Sequence, residues 1–445
     1  MAAGRKRYRH ITSFQIIIAG FLGVILLGSL LLMLPVSARG GQATPFLNAL
    51  FTATSAVCVT GLVVYDTATY WSAFGQAVIL LLIQIGGMGV VTIAVAVAAV
   101  SGRKIGLMQR STLQEAISAP KVGGIVRMSK FIIRTSLCIE LAGAALLAVV
   151  FCRDFGMLKG VWYALFHSVS AFCNAGFDLI GIREPFSSLM TYSAQPIVNL
   201  VIMSLIIIGG IGFYTWADIG KNKANIKKYC MQSKVILTVT AFLIAAPAVY
   251  FFFCEFSDQS LVQRIWKSLF QSVTPRTAGF NTADLTVLTE TGQMLMIILM
   301  LIGGSPGSTA GGMKTTTIAV LGALALAVFR KKDYAHFFGR RVPEEAVRNA
   351  ATILLMYVSL FLAGGMVISY IEDVSLLEAL FETGSAIGTV GLTLGITPGL
   401  GGISKLILIS LMFFGRVGGL TLIFAAVSER KPYNARLPQE RITVG

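Results

Sequence analysis

The stretch Leu380–Thr393, LFETGSAIGTVGLT, decides the fold, because versions of it occur four times along the chain. The other three read LFTATSAVCVTGL at 50–62, LFHSVSAFCNAGF at 165–177 and LFQSVTPRTAGF at 269–280. In each copy a Leu-Phe pair lies in a short apolar segment, and a glycine follows the phenylalanine by ten residues, or by nine in the third copy. Such a segment is too short to cross a bilayer as a helix and is typical of a re-entrant element.

The composition is that of a membrane protein. Hydrophobic residues make up 55% of the 445 residues and charged residues only 13%, whereas soluble proteins carry roughly a quarter charged residues. Long apolar runs flank each short segment in pairs, and each run has the length that a membrane-spanning helix needs. These eight runs are Phe14–Leu34, Ala73–Val100, Phe131–Cys152, Pro196–Ala217, Val235–Cys254, Met294–Phe329, Ala350–Ile371 and Lys405–Val427.

The pattern predicts an all-α integral membrane fold with eight transmembrane helices in four span–pore helix–span repeats. The repeats occupy 14–101, 130–219, 233–329 and 349–428, between a cytoplasmic N-terminus at 1–13 and a cytoplasmic tail at 429–445. Every repeat contains two crossings, so all four have parallel topology. Parallel copies are related by an axis along the membrane normal, which predicts pseudo-four-fold symmetry around one pore.

The distribution of charge sets the predicted orientation. The net charge is +16, and most basic residues fall between the repeats or in the terminal segments, as the positive-inside rule requires of cytoplasmic parts. This distribution indicates a multi-pass membrane protein with both termini in the cytoplasm, and it argues against a nucleic-acid partner. Acidic residues on the predicted outer side would attract cations. They include Asp66, Asp178, Asp284, Glu372 and Glu382.

The residues around each glycine are predicted to form a selectivity filter. Main-chain carbonyls from four copies can replace the hydration shell of a potassium ion, and glycine accepts the backbone conformations that this requires. The predicted K⁺-binding residues are Cys58, Val59, Thr60, Gly61, Cys173, Asn174, Ala175, Gly176, Arg276, Thr277, Ala278, Gly279, Gly388, Thr389, Val390 and Gly391. We expect the two thiols to pack behind the filter. Arg276 is expected to pair with a nearby acidic or carbonyl group, or alternatively to act as a barrier to ions.

The second span of the third repeat is interrupted by GGSPGSTAGG at 303–312. These residues cannot form a stable helix facing lipid, so we predict a gate below the filter. A phosphate-binding loop is disfavoured because Met313 separates the second glycine from Lys314. Lys314 either stabilises the loop or snorkels inward, and Arg416, a charge within the last span, is expected to donate to loop carbonyls. The predicted gate residues are Gly303, Gly304, Ser305, Gly307, Ser308, Thr309, Ala310, Gly311, Gly312, Lys314 and Arg416.

These motifs resemble the Trk/Ktr/HKT superfamily of potassium transporters over nearly the whole chain, with PRTAGFN (Pro275–Asn281) and FGRVGGLT (Phe414–Thr421) the most specific strings. The length is similar to that of the bacterial KtrB-type membrane subunit, which implies the bacterial plasma membrane as the location. The resemblance implies potassium uptake, possible stimulation by Na⁺, and a homodimer with one pore per protomer. It also implies a cytoplasmic RCK-type ring (KtrA/KtrC-like) that binds ATP or ADP and docks on the basic cytoplasmic segments, which are also expected to contact membrane lipids.

Three other functions are compatible with parts of the sequence. A secondary cation symporter with alternating access also places its sites at discontinuous spans, although the parallel four-fold repeat favours an axial pore. An integral membrane enzyme is disfavoured because the chain contains neither an HExxH motif nor paired intramembrane acids. The third alternative is a non-conducting scaffold, which complementation of a strain defective in potassium uptake would distinguish from a transporter.

Overall fold

The computed structural model describes residues 12–100, 106–116 and 124–426, together with Pro438 and Glu440. Most of the predicted N-terminal segment 1–13 and of the tail 429–445 lies outside the described residues, as do 101–105 and 117–123 of the first basic linker. The described chain is mainly helical, and its one small sheet is an antiparallel hairpin of His336–Phe337 with Arg340–Arg341.

The α-helices are α1 (Ser13–Met33), α2 (Phe46–Val57), α3 (Thr67–Tyr70), α4 (Ala73–Met88), α5 (Val90–Val100), α6 (Leu107–Ala116), α7 (Ile125–Phe155), α8 (Met157–Phe172), α9 (Pro196–Gly210), α10 (Phe213–Asn222), α11 (Met231–Tyr250), α12 (Leu261–Val273), α13 (Glu290–Leu301), α14 (Thr315–Phe329), α15 (Glu344–Glu372), α16 (Leu376–Gly388), α17 (Gly402–Val417) and α18 (Gly419–Ala426). A π-helical turn, Phe251–Glu255, continues α11.

Four described helices are each long and apolar enough to cross a membrane: α1, α7, α15, and α11 together with its π-helical turn. Each opens one of the predicted repeats. The pair α9–α10 passes the same test as a unit, although it is bent by 97°. A capping box between Thr12 and Gln15 begins α1, since the threonine hydroxyl and the glutamine amide satisfy N–H groups that have no partner within the helix.

The second member of every pair is broken, whereas the sequence predicts an interruption only in the third. Helix α4 ends at Gly89 (φ 85°), α9 ends just before Gly212 (φ 91°), and α17 ends at Gly418 (φ 89°). The prediction of continuous spans in repeats one, two and four is therefore wrong. A right-handed helix cannot pass through a residue with positive φ, and glycine adopts that conformation without a steric penalty.

Four short helices lie where the sequence places re-entrant segments: α2, α8, α12 and α16. Each packs against the first helix of its own repeat, and each also packs against the second helix of the repeat before it. The inter-repeat pairs are α4 with α8, α9 with α12, α13 with α16, and α17 with α2. Because the last pair returns to the first repeat, the four short helices are arranged in a closed circuit.

Candidate ion-binding site

The glycines that follow the short helices meet in a ring. The position that a Cβ atom would take at each glycine lies against the carbonyl that precedes the glycine of a neighbouring copy. The pairs are Gly61 with Ala175, Gly176 with Ala278, Gly279 with Val390, and Gly391 with Thr60. The distance is 2.6 Å in the first pair and 2.8 Å in the second. The ring therefore has no room for a side chain at any of these four positions.

The backbone of each copy is strained at the same position. All four glycines have positive φ, between 70° and 94°. Two residues before each glycine, a residue with a side chain is also left-handed. These residues are Val59 (φ 52°), Asn174 (φ 58°), Thr277 (φ 67°) and Thr389 (φ 52°). Such conformations cost about 1–3 kcal/mol each and cluster where backbone clamps a ligand.

A hydroxyl side chain in each short helix braces the segment that follows. The Ser55 hydroxyl accepts a hydrogen bond from the Gly61 amide at 3.0 Å, and that of Ser385 accepts one from Gly391 at 2.9 Å. In the other two copies the hydroxyl donates to a main-chain carbonyl, from Ser170 to Phe177 and from Thr274 to Phe280. These bracing hydroxyls are absent from the predicted site residues, although the four aligned copies carry Ser, Ser, Thr and Ser at this position.

The C-terminal ends of the short helices supply a favourable field for cations at the ring. Helices α2, α8 and α16 end three or four residues before their glycines, and α12 ends six residues before Gly279. The last carbonyls of a helix have no intrahelical partner, and the helix dipole places partial negative charge there. Two buried hydroxyls in the ring segments, those of Thr60 and Thr389, have no hydrogen-bond partner among the described residues. The donor set of carbonyls and hydroxyls suits an alkali cation.

The predicted residues that flank the ring differ in role. Cys58 and Cys173 are fully buried free thiols. Arg276 is also buried, but the expected acidic or carbonyl partner is wrong: its guanidinium donates to the Thr240 hydroxyl at 3.3 Å. Its main-chain carbonyl accepts a hydrogen bond from the Asn174 amide at 3.3 Å, so the second and third copies are linked beside the ring.

A cavity of about 250 Å³ opens on one side of the ring, and the four glycines form part of its wall. Asp66, Asp178 and Asp284 also line it. Burial and, to a lesser extent, the negative charge of Asp66 raise the pKa of the Asp178 carboxyl, hydrogen bonds from the amides of Ile180 and Gly181 lower it, and the net pKa is about 7. The cavity therefore presents carboxylates to a cation that approaches the ring.

The interruption in the third repeat forms a loop that contacts the second and fourth repeats. Its amides donate to glycine carbonyls on both sides, Ser305 to Gly210 at 3.0 Å and Gly312 to Gly415 at 3.0 Å. The Thr309 hydroxyl donates to the last carbonyl of α8, that of Phe172, at 3.0 Å. The loop is thus held by hydrogen bonds to the second repeat on one side and to the fourth repeat on the other.

Two basic side chains hold the same loop. Lys314 Nζ donates to the carbonyls of Ala310 and Gly311 at 2.9 and 3.2 Å, so it stabilises the loop internally. The Arg416 guanidinium donates to the Thr309 carbonyl and to the Gly86 carbonyl, and it donates to Gly87 at 3.1 Å. This arginine therefore connects the loop to the fourth and the first repeats. Both side chains line a second cavity of about 210 Å³.

Comparison with known proteins places these features in a family context. The TrkH family model, described as a cation transport protein, matches residues 3–434. The chain is 41% identical to the potassium/sodium uptake protein NtpJ of Enterococcus hirae, over 100% of both chains. It is 38% identical to the Ktr system potassium uptake protein B of Bacillus subtilis, over 99% of this chain and 98% of the relative.

A solved structure shares the fold. The crystal structure of the potassium transporter TrkH from Vibrio parahaemolyticus superposes with a TM-score of 0.75, covering 96% of this chain and 87% of that chain. The two sequences are 21% identical, so this match bears on the fold alone.

Proposed function

The chain belongs to the TrkH family of cation transport proteins, and we propose that it carries K⁺ into the bacterial cell through the ring of four glycines. The observation that carries this proposal is the closed ring itself, in which each glycine lies against a carbonyl of the neighbouring copy. Four strained segments that leave room only for main chain are suited to coordinate a dehydrated cation. The names of the two relatives, which include potassium uptake, support K⁺ as the ion and leave Na⁺ as a second candidate.

In this proposal the chain crosses the membrane eight times, in four parallel repeats at 14–101, 130–219, 233–329 and 349–428. The circuit of short helices supports it, because four parallel units around one axis would bring four equivalent elements together. Each broken second helix then counts as one crossing. Both termini lie in the cytoplasm, where the excess of basic residues favours them.

The glycine-rich loop at 303–312 and Arg416 form the gate. Hydrogen bonds to charged donors contribute about 1.5–3 kcal/mol each, so losing even one of the Arg416 bonds would shift loop opening by roughly tenfold or more. The Thr389 side chain lies where a Cβ on Gly311 would be, which means that the loop touches a ring segment. A loop so placed blocks the pathway until the bonds that Arg416 donates to Thr309 and to the α4 glycines are released.

We also propose a homodimer that assembles with a cytoplasmic RCK-type ring, on which ATP or ADP acts. The word "system" in the name of the Bacillus subtilis relative supports a partner component. Such a ring would dock on the basic segment 330–348, which includes the β-hairpin.

The test reconstitutes the purified protein in liposomes and compares K⁺, Rb⁺ and Na⁺ flux. We expect K⁺ flux in the wild type, a higher rate in Arg416→Gln and in a deletion of 307–311, and no change in Arg330→Gln, which removes the same charge from an exposed position. Wild-type liposomes without cation flux would refute the transport function. Unchanged flux in both gate variants would refute the gate.

A secondary symporter is the second candidate, and the broken second helices favour it because such transporters bind substrates at discontinuous spans. The same liposomes separate the two. Flux that rises linearly with driving force and needs no co-ion supports the channel-like pathway, whereas saturable flux that stops without Na⁺ or a proton gradient supports the symporter.

A further inference from the structure

Helix α7 carries a buried carboxylate that the pathway described above does not use. Glu140 is 2% exposed, near the middle of a helix that is long enough to span the membrane. Within the described residues no basic side chain forms an ion pair with it. An intramembrane carboxylate is costly to bury and usually serves a function, so a purely structural account of Glu140 is incomplete.

Glu140 lies directly behind the second ring segment. Both of its carboxylate oxygens accept hydrogen bonds from Gln84 Nε2 of α4, at 3.1 Å each. The thiol of Cys173, the first residue of that segment, lies 4.0 Å from Glu140 Oε1 and 3.7 Å from Gln84 Oε1. The main-chain carbonyl of Glu140 also accepts a hydrogen bond from Ser168 of α8 at 2.6 Å. The carboxylate is thus fixed against the short helix and the segment that follows it.

Arg416 is linked to the same thiol through Gly87. Its guanidinium donates to the Gly87 carbonyl, and a Cβ at Gly87 would lie 2.5 Å from Cys173 Sγ. The thiol and one glycine therefore lie between the Glu140 carboxyl and the Arg416 guanidinium, beside the ring that cations would occupy.

We propose that Glu140 is a positioning residue for cation passage, and that its negative charge offsets the Arg416 guanidinium across Cys173. This inference rests on the proposed function. A glutamine at this position would still accept the hydrogen bond from Gln84 and would fill the same volume, so the feature that only a carboxylate supplies is the charge. At a separation on the order of 10 Å and an effective permittivity of about 20, one charge changes cation occupancy by roughly tenfold.

The experiment measures KM and Vmax for K⁺ in liposomes for four proteins besides the wild type. These are Glu140→Gln, Glu140→Asp, Arg416→Gln and the double variant of Glu140→Gln with Arg416→Gln. Asp154→Asn is the matched control, because it removes a carboxylate from the same helix at a position that pairs with Arg183 instead. Size-exclusion profiles and thermal unfolding are recorded for every variant.

We expect Glu140→Gln to raise KM for K⁺ roughly tenfold with little change in Vmax, while Glu140→Asp and the control stay near the wild type. Arg416→Gln should lower KM, and the double variant should lie between the two single variants. If Glu140→Gln alone yields no folded protein, the double variant is compared with Arg416→Gln, because these two proteins differ only in the charge at Glu140. An equal KM in the two would overturn the inference.

Several results would overturn the inference while leaving the proposed function intact. In a wild type that conducts K⁺, an unchanged KM in Glu140→Gln would overturn the inference. An equal rise of KM in Glu140→Asp, or an unchanged KM in Arg416→Gln, would overturn it as well. A wild type that conducts no K⁺ would instead refute the proposed function.

Discussion

The ring should be intolerant of a single methyl group at Gly391. This residue has φ 93°, and a Cβ there would meet the Thr60 carbonyl and would lie 2.8 Å from the Gly61 Cα. Gly156→Ala is the matched control, since Gly156 has φ 78° and no atom within 4 Å of its Cβ position. Both substitutions therefore incur the left-handed penalty of about 1–2 kcal/mol, but only Gly391→Ala must also displace the neighbouring segment.

Overpacking of this kind costs about 1–3 kcal/mol. Because the displaced atoms belong to the proposed ion cage, we expect this cost to fall on K⁺ binding, which corresponds to a rise in KM of roughly 5- to 150-fold. The assay is K⁺ and Rb⁺ uptake into liposomes, with thermal unfolding of both variants as the measure of the shared strain. Equal KM values for Gly391→Ala and Gly156→Ala would refute the reasoning that this glycine lies in the ion pathway.

Two further outcomes follow from the geometry around the ring. Ser385→Ala leaves the buried Gly391 amide without its acceptor, which costs about 1–3 kcal/mol, so liposome flux ratios should show a loss of K⁺ over Na⁺ discrimination of roughly tenfold. Burial and the charge of Asp66 raise the pKa of Asp178 to about 7, so this carboxyl is mainly negative at pH 8 and mainly neutral at pH 6. KM for K⁺ should therefore rise as the external pH falls, and Asp178→Asn should abolish that dependence.

A separate result would contradict each of these two expectations. Ser410→Ala removes a hydroxyl that bonds only to the Leu406 carbonyl within α17, so an equal loss of discrimination there would show that Ser385 has no special role. For Asp178→Asn, a KM that still rises between pH 8 and pH 6 would place the titrating group elsewhere.

Local patterns account for much of the fold and of the site. The short apolar segments around Leu50-Phe51 and Leu380-Phe381 correspond to helices Phe46–Val57 and Leu376–Gly388, because apolar length and capping residues act within one segment. The helix breaks at Gly89 and Gly418 were not predictable in the same way. A glycine in an apolar run is compatible with a continuous helix that packs closely, and only the surrounding structure requires the positive φ.

For the side chains, too, the sequence indicates which residues matter, and only the structure shows their partners. Arg276 is recognisable as a buried charge beside the third segment, but its partner Thr240 lies on another helix, and nothing in the sequence near either residue connects them. The bracing hydroxyls of Ser55 and Ser385 occupy one column of the aligned copies, yet that column becomes meaningful only when the amides of Gly61 and Gly391 are seen to donate to them.

The sequence by itself determined that the protein contains four copies of one short unit, that one glycine is common to all four copies, and that a polar loop interrupts the third repeat. Periodicity and composition carry that information because they act within single helices and turns. Only the tertiary structure decided that the fourth copy closes on the first, with Gly391 against Thr60 and Arg416 bonded to Gly86. Those contacts join the first repeat to the fourth. Packing and main-chain geometry select these neighbours, and no local pattern in the sequence does.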